Sequence, residues 1–176
     1  MTAGELVRPI RPRALPSGAL NIEADAAECA ALARRFSVTA IHALTAAVDF
    51  DTQDGAVLVN GTLRATIEQP CAVTQDDFIY TVEEPLELRF VPAAGVPEYS
   101  PDEEIELDAG DIDEIPYEGE SFDLGEALAQ TLALAIDPYK EGPQADEMRR
   151  KAGIVSDENV APSGPLAEAL AALKKD

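Results

Sequence analysis

The chain has 176 residues, of which 46% are hydrophobic, so it is long enough to bury one substantial core and falls within the size range of a single domain. Its charge is strongly acidic, because 34 Asp and Glu residues against 13 Lys and Arg give a formal net charge of -21. Nucleic-acid binders normally display clustered Lys and Arg, so the composition argues against broad contact with RNA or DNA. The electric field of these carboxylates steers a basic protein toward the chain, and the alternative is that the charge only keeps the chain soluble.

Residues able to support catalysis or metal binding are few. The two cysteines, Cys29 and Cys71, lie far apart in the sequence, and His42 is the single histidine, so a zinc site lacks its usual ligands. No sequence motif pairs a nucleophile with a base or forms a phosphate-binding glycine loop. We therefore expect no metal, no cofactor and no enzymatic activity. The first residues show neither a signal peptide nor an apolar membrane span, which favours a cytoplasmic protein with free thiols.

The N-terminal stretch from Leu6 to Leu20 mixes arginines with prolines, which predicts an extended arm. The arm is locally basic, and we expect it to lie on the acidic body by charge attraction rather than to bind RNA. Asp25 and Glu28 then form a capping-box pattern ahead of apolar residues at helical spacing. A short amphipathic helix is therefore predicted up to Phe36, with Cys29 as a buried core residue.

After Phe36 the spacing of apolar residues changes from about 3.6 to about 2 residues, which predicts three successive strands. Short connections join them, so we expect an antiparallel meander, with a bend of the third strand near Pro85. The residues expected on the buried face are Leu44, Ala46, Val48 and Phe50, then Val57, Val59, Gly61, Leu63, Ala65, Ile67 and Cys71, then Phe78, Tyr80, Val82, Leu86, Leu88 and Phe90. The opposite face is polar enough to meet water or a partner.

A very acidic run extends from Glu98 to Glu120. It has few apolar residues, which is typical of a solvated loop, and a short strand from Ile112 to Tyr117 is predicted within it. The alternative interpretation is a docking surface for Lys and Arg, or a mimic of the spacing of phosphates.

Asp123 is predicted to cap a second helix, with Glu126 at the third helical position and an apolar stripe that covers one face of the sheet. The Asp137-Pro138 pair ends this helix, because the residue before a proline is disfavoured in the α conformation. Gly125 is expected to let the helix start pack closely against the sheet.

The remaining residues follow the predicted domain. The polar, glycine- and proline-punctuated residues 141–162 are interpreted as a flexible linker. Residues 163–176 are predicted to form a C-terminal helix that folds back on the domain or offers itself to a groove on another protein. The predicted architecture is a single α+β domain over residues 1–140, in which amphipathic helices cover an antiparallel β-meander, with an acidic loop and a C-terminal helix. The oligomeric state is left open.

Two local patterns occur together in the chain. The predicted second strand ends in Gln69-Pro70-Cys71-Ala72-Val73-Thr74, and the second helix opens with Asp123-Leu124-Gly125-Glu126 and leads to Asp137-Pro138-Tyr139. In this order and spacing, with the basic arm and first helix ahead of them, they resemble the YceD-like family, also called domain of unknown function 177. The chain looks most similar to the alphaproteobacterial branch of that family.

The resemblance implies family positions that are carried over residue by residue. Cys71 and Thr74 match the Cys-x-x-Thr turn of the family, and its helix start is matched by Asp123, Gly125 and Glu126. The candidate binding positions are Cys71, Thr74, Asp123, Gly125, Glu126, Pro138 and Tyr139. The chain departs from the family after the threonine, where relatives usually continue Leu-Glu-Pro and this sequence has Gln75-Asp76-Asp77.

The resemblance also implies a function. The family is associated with making or accumulating the large ribosomal RNA, 23S in bacteria, without catalysis. It leaves the direct partner open between a large-subunit ribosomal protein, precursor 23S rRNA, or both. A second hypothesis, which comes from the acidic run, is a nucleic-acid mimic that inhibits a basic partner protein.

Overall fold

A computed structural model describes residues 4–93 and 114–154 of the chain. Their elements are, in chain order, β1 (Pro9–Ile10), a short 3-10 turn (Pro12–Ala14), β2 (Leu20–Glu23), α1 (Ala26–Phe36), β3 (Ala40–Gln53), β4 (Ala56–Pro70), β5 (Asp77–Pro92), β6 (Glu114–Tyr117), β7 (Phe122–Asp123), α2 (Leu124–Ala135) and α3 (Ala145–Lys151). Most of the acidic run and the whole predicted C-terminal helix, residues 163–176, lie outside the described residues.

The sheet has five strands in the order β2-β3-β4-β5-β6, which confirms the predicted α+β class and the three-strand meander. Asp54 and Gly55 join β3 to β4, and both have positive φ, as a two-residue hairpin of right-handed twist requires. Pro85 has no N–H to donate, and among the strands that the structure describes its stretch of β5 pairs with β4 alone. The edge strand β6 does not continue the antiparallel meander, because it pairs with β5 in parallel over Arg89–Pro92. A parallel pair needs a long connection, and residues 93–113 supply it.

Both long helices pack on one face of the sheet. Leu32 of α1 and Leu128 and Leu132 of α2 are fully buried in one core with Leu63 and Ile67 of β4. The expected buried face of the three strands is confirmed at nearly every position, since residues of that face are buried or half-buried along β3, β4 and β5. Burying large apolar side chains in this way contributes about 1.5–3 kcal/mol each.

The start of α1 has the predicted capping box. The Asp25 carboxylate accepts hydrogen bonds from the backbone N–H groups of Ala27 and Glu28, both at 2.8 Å. The Glu28 carboxylate in turn accepts from the Asp25 N–H at 2.9 Å. Burial raises the pKa of the Cys29 thiol, as expected for a core cysteine.

The N-terminal arm lies on the body, and charge attraction holds part of it there. Arg8 forms a two-pronged ion pair with Glu28, at 2.6 and 2.8 Å, which lowers the pKa of that carboxyl. The arm also contributes to the core, since Leu6 is 1% exposed, and β1 pairs with β7. It differs from a fully extended arm at Pro12–Ala14, where a 3-10 turn forms; prolines are compatible with its first positions.

Gly125 was expected to let the start of α2 pack closely against the sheet. In the structure it packs against the N-terminal arm instead. A Cβ atom placed on Gly125 would lie 2.3 Å from the backbone oxygen of Leu6 and 2.9 Å from the backbone nitrogen of Arg8. Both neighbours are backbone atoms, which cannot rotate away as a flexible side chain can. A side chain at position 125 is therefore incompatible with the observed path of the arm.

Residues 141–154 differ from the flexible linker that the sequence predicted. They include the helix α3, and Ala145 is buried. Arg149 contacts Glu141 and Asp146, and Lys151 pairs with Glu147 at 2.7 Å, so side-chain ion pairs stabilise this short helix. Gly142, just ahead of it, lies beside the Phe78 ring of β5 and beside Cys71. The boundaries of a linker and of the domain itself stay predictions.

We predict that Gly125→Ala lowers the free energy of unfolding by about 1–3 kcal/mol, because the added methyl group forces the arm away from α2. Urea unfolding measures this change, and amide hydrogen exchange at Arg8 reports whether the arm detaches. Gly4→Ala is the matched control, since its Cβ would meet no atom closer than 3.6 Å. Equal stability of the two variants would contradict the proposed close contact.

Candidate functional site

The candidate family residues fall into two groups at opposite ends of α2. Asp123, Gly125 and Glu126 lie at its N-terminus, and Pro138 and Tyr139 follow its C-terminus. The turn that contains Cys71 and Thr74 joins the second group, since Cys71 contacts Gly142. A helix of this length spans about 18 Å, so the candidate residues do not form one site.

At the N-terminal end, Asp123 caps α2 as predicted. One carboxylate oxygen, Oδ1, accepts hydrogen bonds from the backbone N–H groups of Gly125 at 2.9 Å and Glu126 at 3.4 Å. The same oxygen accepts from the backbone N–H of Arg8 at 2.8 Å. The Leu124 N–H donates to the carbonyl of Arg8 at 3.0 Å. Asp123 therefore fixes the arm to the helix start.

The Glu126 side chain does not complete a capping box, although it occupies the third helical position where such a box would use it. Its carboxylate accepts two hydrogen bonds from the Arg35 guanidinium, at 2.7 and 2.8 Å. Arg35 also donates to Glu5 at 3.0 Å. The ion pair with Arg35 lowers the pKa of Glu126 and ties α2 to the last turn of α1. The Glu126 carboxylate forms an ion pair between the two helices because the Arg35 guanidinium of α1 lies within reach.

At the other end of α2, the Cys71 sulfur is surrounded by backbone donors. It accepts hydrogen bonds from the N–H groups of Gly142 at 3.2 Å and of Val73 and Thr74 at 3.4 Å each. Backbone donors favour the thiolate, so the pKa of Cys71 falls from its ordinary value of 9.0 to about 7, with the Gly142 N–H as the largest cause. The side chain itself is buried, at 1% exposure. The Cys-x-x-Thr turn thereby holds the chain beyond α2 against the β4–β5 hairpin.

Gln69 adds a second connection at this end. It is 4% exposed, its amide nitrogen donates to the carbonyl of Asp137 at 2.9 Å, and its amide oxygen accepts from the Tyr80 hydroxyl at 2.9 Å. Lys140 places its ammonium 4.9 Å from the centre of the Tyr80 ring. The sequence prediction did not assign these roles. A signal for Gln69 was present, because a polar residue between Ile67 and Cys71 falls on the apolar face of its strand.

The remaining candidate residues of this group are more exposed. The Thr74 hydroxyl accepts from the backbone N–H of Asp76 at 3.3 Å and stabilises the turn. Pro138 is exposed, and Tyr139 is 80% exposed beside the end of α2, where Leu134 is 89% exposed. Of the candidate residues, Pro138 and Tyr139 are thus the ones whose side chains face solvent.

The face of the sheet opposite the helices, here called the outer face, is polar. Residues that lie opposite one another on neighbouring strands form rows across this face. Its two central rows are Asn21-Ala47-Thr62-Pro85 and Glu23-Thr45-Arg64-Glu83, and the row Asp49-Asn60-Glu87 lies beside the first. Every residue of these rows is exposed. His42, the single histidine, is also exposed and contacts Glu68 at 2.8 Å. Among residues 4–93 and 114–154, no element covers the centre of this face.

No group of three or more His, Cys, Asp or Glu side chains in the described part of the chain is arranged to hold a metal ion. No described helix is both long and apolar enough to span a membrane.

Comparison with known proteins assigns the family. The model of the family described as "Large ribosomal RNA subunit accumulation protein YceD" matches residues 59–175, more than half of the chain. The chain belongs to the YceD family. Searches of curated proteins and of solved structures gave no match.

The YceD match begins inside β4 and includes both ends of α2. The resemblance stated for the Cys71 turn and the Asp123 helix start is therefore confirmed at the level of the family. The arm and α1 lie ahead of the matched residues. They nevertheless contact the YceD helix α2 directly, through Arg8 and Arg35.

We predict that Tyr80→Phe destabilises the fold by about 1–3 kcal/mol, because it leaves the buried amide oxygen of Gln69 without a donor. Chemical denaturation measures the difference. Tyr139→Phe is the matched control and should change stability by less than about 0.5 kcal/mol, since Tyr139 is exposed. If Tyr80→Phe were as stable as the control, the hydrogen bond to Gln69 would be energetically irrelevant.

We predict that Cys71 stabilises the fold more at alkaline pH. Its folded pKa is lowered to about 7, so the thiolate contribution is complete above the ordinary value of 9.0 and is lost as the pH falls through about 7. Serine keeps an acceptor at this position but does not ionise in this range. The stability difference between the wild-type protein and Cys71→Ser should therefore grow from pH 6 to pH 9 in urea titrations.

Cys29→Ser is the control for this pH dependence. Burial raises the pKa of Cys29, so the stability that its neutral thiol contributes is present below the ordinary value of 9.0 and is lost as the pH rises above it. The difference between wild type and Cys29→Ser should not grow toward pH 9. A Cys71→Ser difference that stays constant between pH 6 and pH 9 would show that the thiolate is not favoured.

Proposed function

We propose that the protein is a non-enzymatic factor in the biogenesis of the large ribosomal subunit and that it acts in the cytoplasm by binding a basic large-subunit ribosomal protein. The family assignment carries the first part, because the description of the YceD family names the accumulation of large-subunit ribosomal RNA. Direct contact with precursor 23S rRNA is the alternative mode of action.

The surface charge favours a protein partner over RNA. Phosphates are bound by unpaired Lys and Arg side chains, and six of the eleven Lys and Arg side chains that the structure describes have carboxylate partners. Those paired in the described part of the chain are Arg8, Arg35, Arg64, Arg89, Arg149 and Lys151. With a net charge of -21, the molecule attracts a basic ribosomal protein and repels an RNA backbone.

His42 and Cys71 are the side chains best suited to acid–base or nucleophilic chemistry, and their contacts in the structure support a binding role without catalysis. The exposed His42 contacts Glu68, and the hydrogen bonds to the Cys71 sulfur come from the backbone N–H groups of Val73, Thr74 and Gly142 and not from His42. A general base normally lies within hydrogen-bond reach of the nucleophile that it activates. Each of these groups instead contributes to holding β3, β4 and the turn after α2 in place.

We predict that cells depleted of the protein accumulate less 23S rRNA relative to 16S rRNA and contain fewer mature large subunits. Quantification of both rRNAs and sedimentation profiles of the subunits measure these changes. Re-expression of the wild-type chain is the control and should restore both. An unchanged 23S to 16S ratio together with a normal subunit profile in depleted cells would overturn the proposed function.

A further inference from the structure

The outer face has features suited to one kind of partner. Its central floor carries small or neutral side chains, Thr45, Ala47, Asn60 and Thr62. A shallow depression of about 490 Å³ lies over Thr45, Ala47 and Thr62, and Glu23 and the ion-paired Arg64 and Glu83 also line it. Small side chains on a flat sheet let another backbone approach closely. A partner can therefore lie along the strands without displacing any described element.

Carboxylates flank Asn60 of this floor on its two neighbouring strands. The strand register places Asp49 and Glu87 in one row on either side of Asn60, so two strand spacings, about 9.6 Å, separate their backbones. Glu23 extends the acidic margin along β2. All three side chains project from the same face, because directly opposed residues of neighbouring strands share a face.

The cations on this face are already neutralised. Arg64 pairs with Glu83, and Arg89 pairs with Glu114 at 3.0 Å. Within the described residues, Asp49 and Glu87 form no such salt bridge. The excess charge of the face is thus negative and is available at its margins, which favours cationic side chains on either side of a slender backbone.

We propose that the outer face is the docking surface for a Lys- and Arg-rich segment of a basic protein, which lies over Thr45, Ala47 and Thr62 with its cations at Asp49, Glu87 and Glu23. This inference rests on the proposed function and specifies the surface through which it is performed. An RNA strand does not fit, because its phosphates would meet the carboxylates of both margins.

The binding test uses the full-length ¹⁵N-labelled protein, titrated at low ionic strength with a synthetic peptide of alternating Lys and Thr or with a 20-nucleotide RNA. The peptide should shift the amide signals of Thr45, Ala47, Thr62 and Glu87 most strongly, and the RNA should not. The double variant Asp49→Asn/Glu87→Gln should weaken peptide binding by about fivefold, as the loss of two exposed ion pairs predicts.

The matched control is Glu118→Gln/Glu120→Gln, which removes the same charge from an exposed turn after β6. It should weaken peptide binding by less than about twofold, through the long-range field alone. Equal weakening by the two double variants, peptide shifts confined to residues 94–120, or RNA binding on the outer face would each overturn the proposal. Nuclear Overhauser contacts between residues 155–176 and Ala47 or Thr62 in the free chain would overturn it as well, since the chain itself would then occupy the face.

Complementation separates this inference from the proposed function. In depleted cells, the Glu118→Gln/Glu120→Gln variant should restore the 23S to 16S ratio, and Asp49→Asn/Glu87→Gln should not. Full rescue by both variants would overturn the docking surface but leave the proposed function intact. If depletion itself had no effect on rRNA, the proposed function would fail, and the titration would still decide whether the outer face binds a basic segment.

Discussion

One oxygen of the Asp123 carboxylate accepts hydrogen bonds from the backbone N–H groups of Arg8, Gly125 and Glu126, and the arrangement of the domain depends on this contact. It joins the N-terminal arm to the first turn of α2. With the arm in this position, Leu6 enters the core and Arg8 reaches Glu28 on α1. A close crossing of two backbones leaves no room for a Cβ, which is the physical reason for glycine after Asp-Leu.

The C-terminal end of α2 is also fixed on the sheet, but there the contacts are made by the Cys71 sulfur and the Gln69 amide. Three backbone N–H groups converge on the Cys71 sulfur, and Gln69 connects Tyr80 to the carbonyl of Asp137. Most residues of the family pattern therefore determine where α2 lies on the sheet. Their identities are explained by packing and hydrogen bonding, so a partner surface has to be sought among exposed side chains such as Tyr139 and those of the outer face.

The placement of both helices on one face also has an electrostatic consequence. The outer face keeps its polar side chains in solvent, and the arginines on it already have partners in Glu83 and Glu114. The basic arm, the other source of positive charge near the start of the chain, contributes Arg8 to an ion pair on the helical side of the domain. The result is a surface whose excess charge is negative, which agrees with the composition of the whole chain.

The sequence by itself determined the local elements: the capping box at Asp25 and Glu28, the alternation of β3 to β5, and the cap at Asp123, since each depends on neighbours along the chain. The tertiary structure decided what depends on distant partners. It paired Glu126 with Arg35, set Gly125 against Leu6, made β6 parallel to β5, and placed Gly142 against the Cys71 turn. These contacts join residues far apart in sequence, and neither periodicity nor capping patterns encode which distant groups will meet.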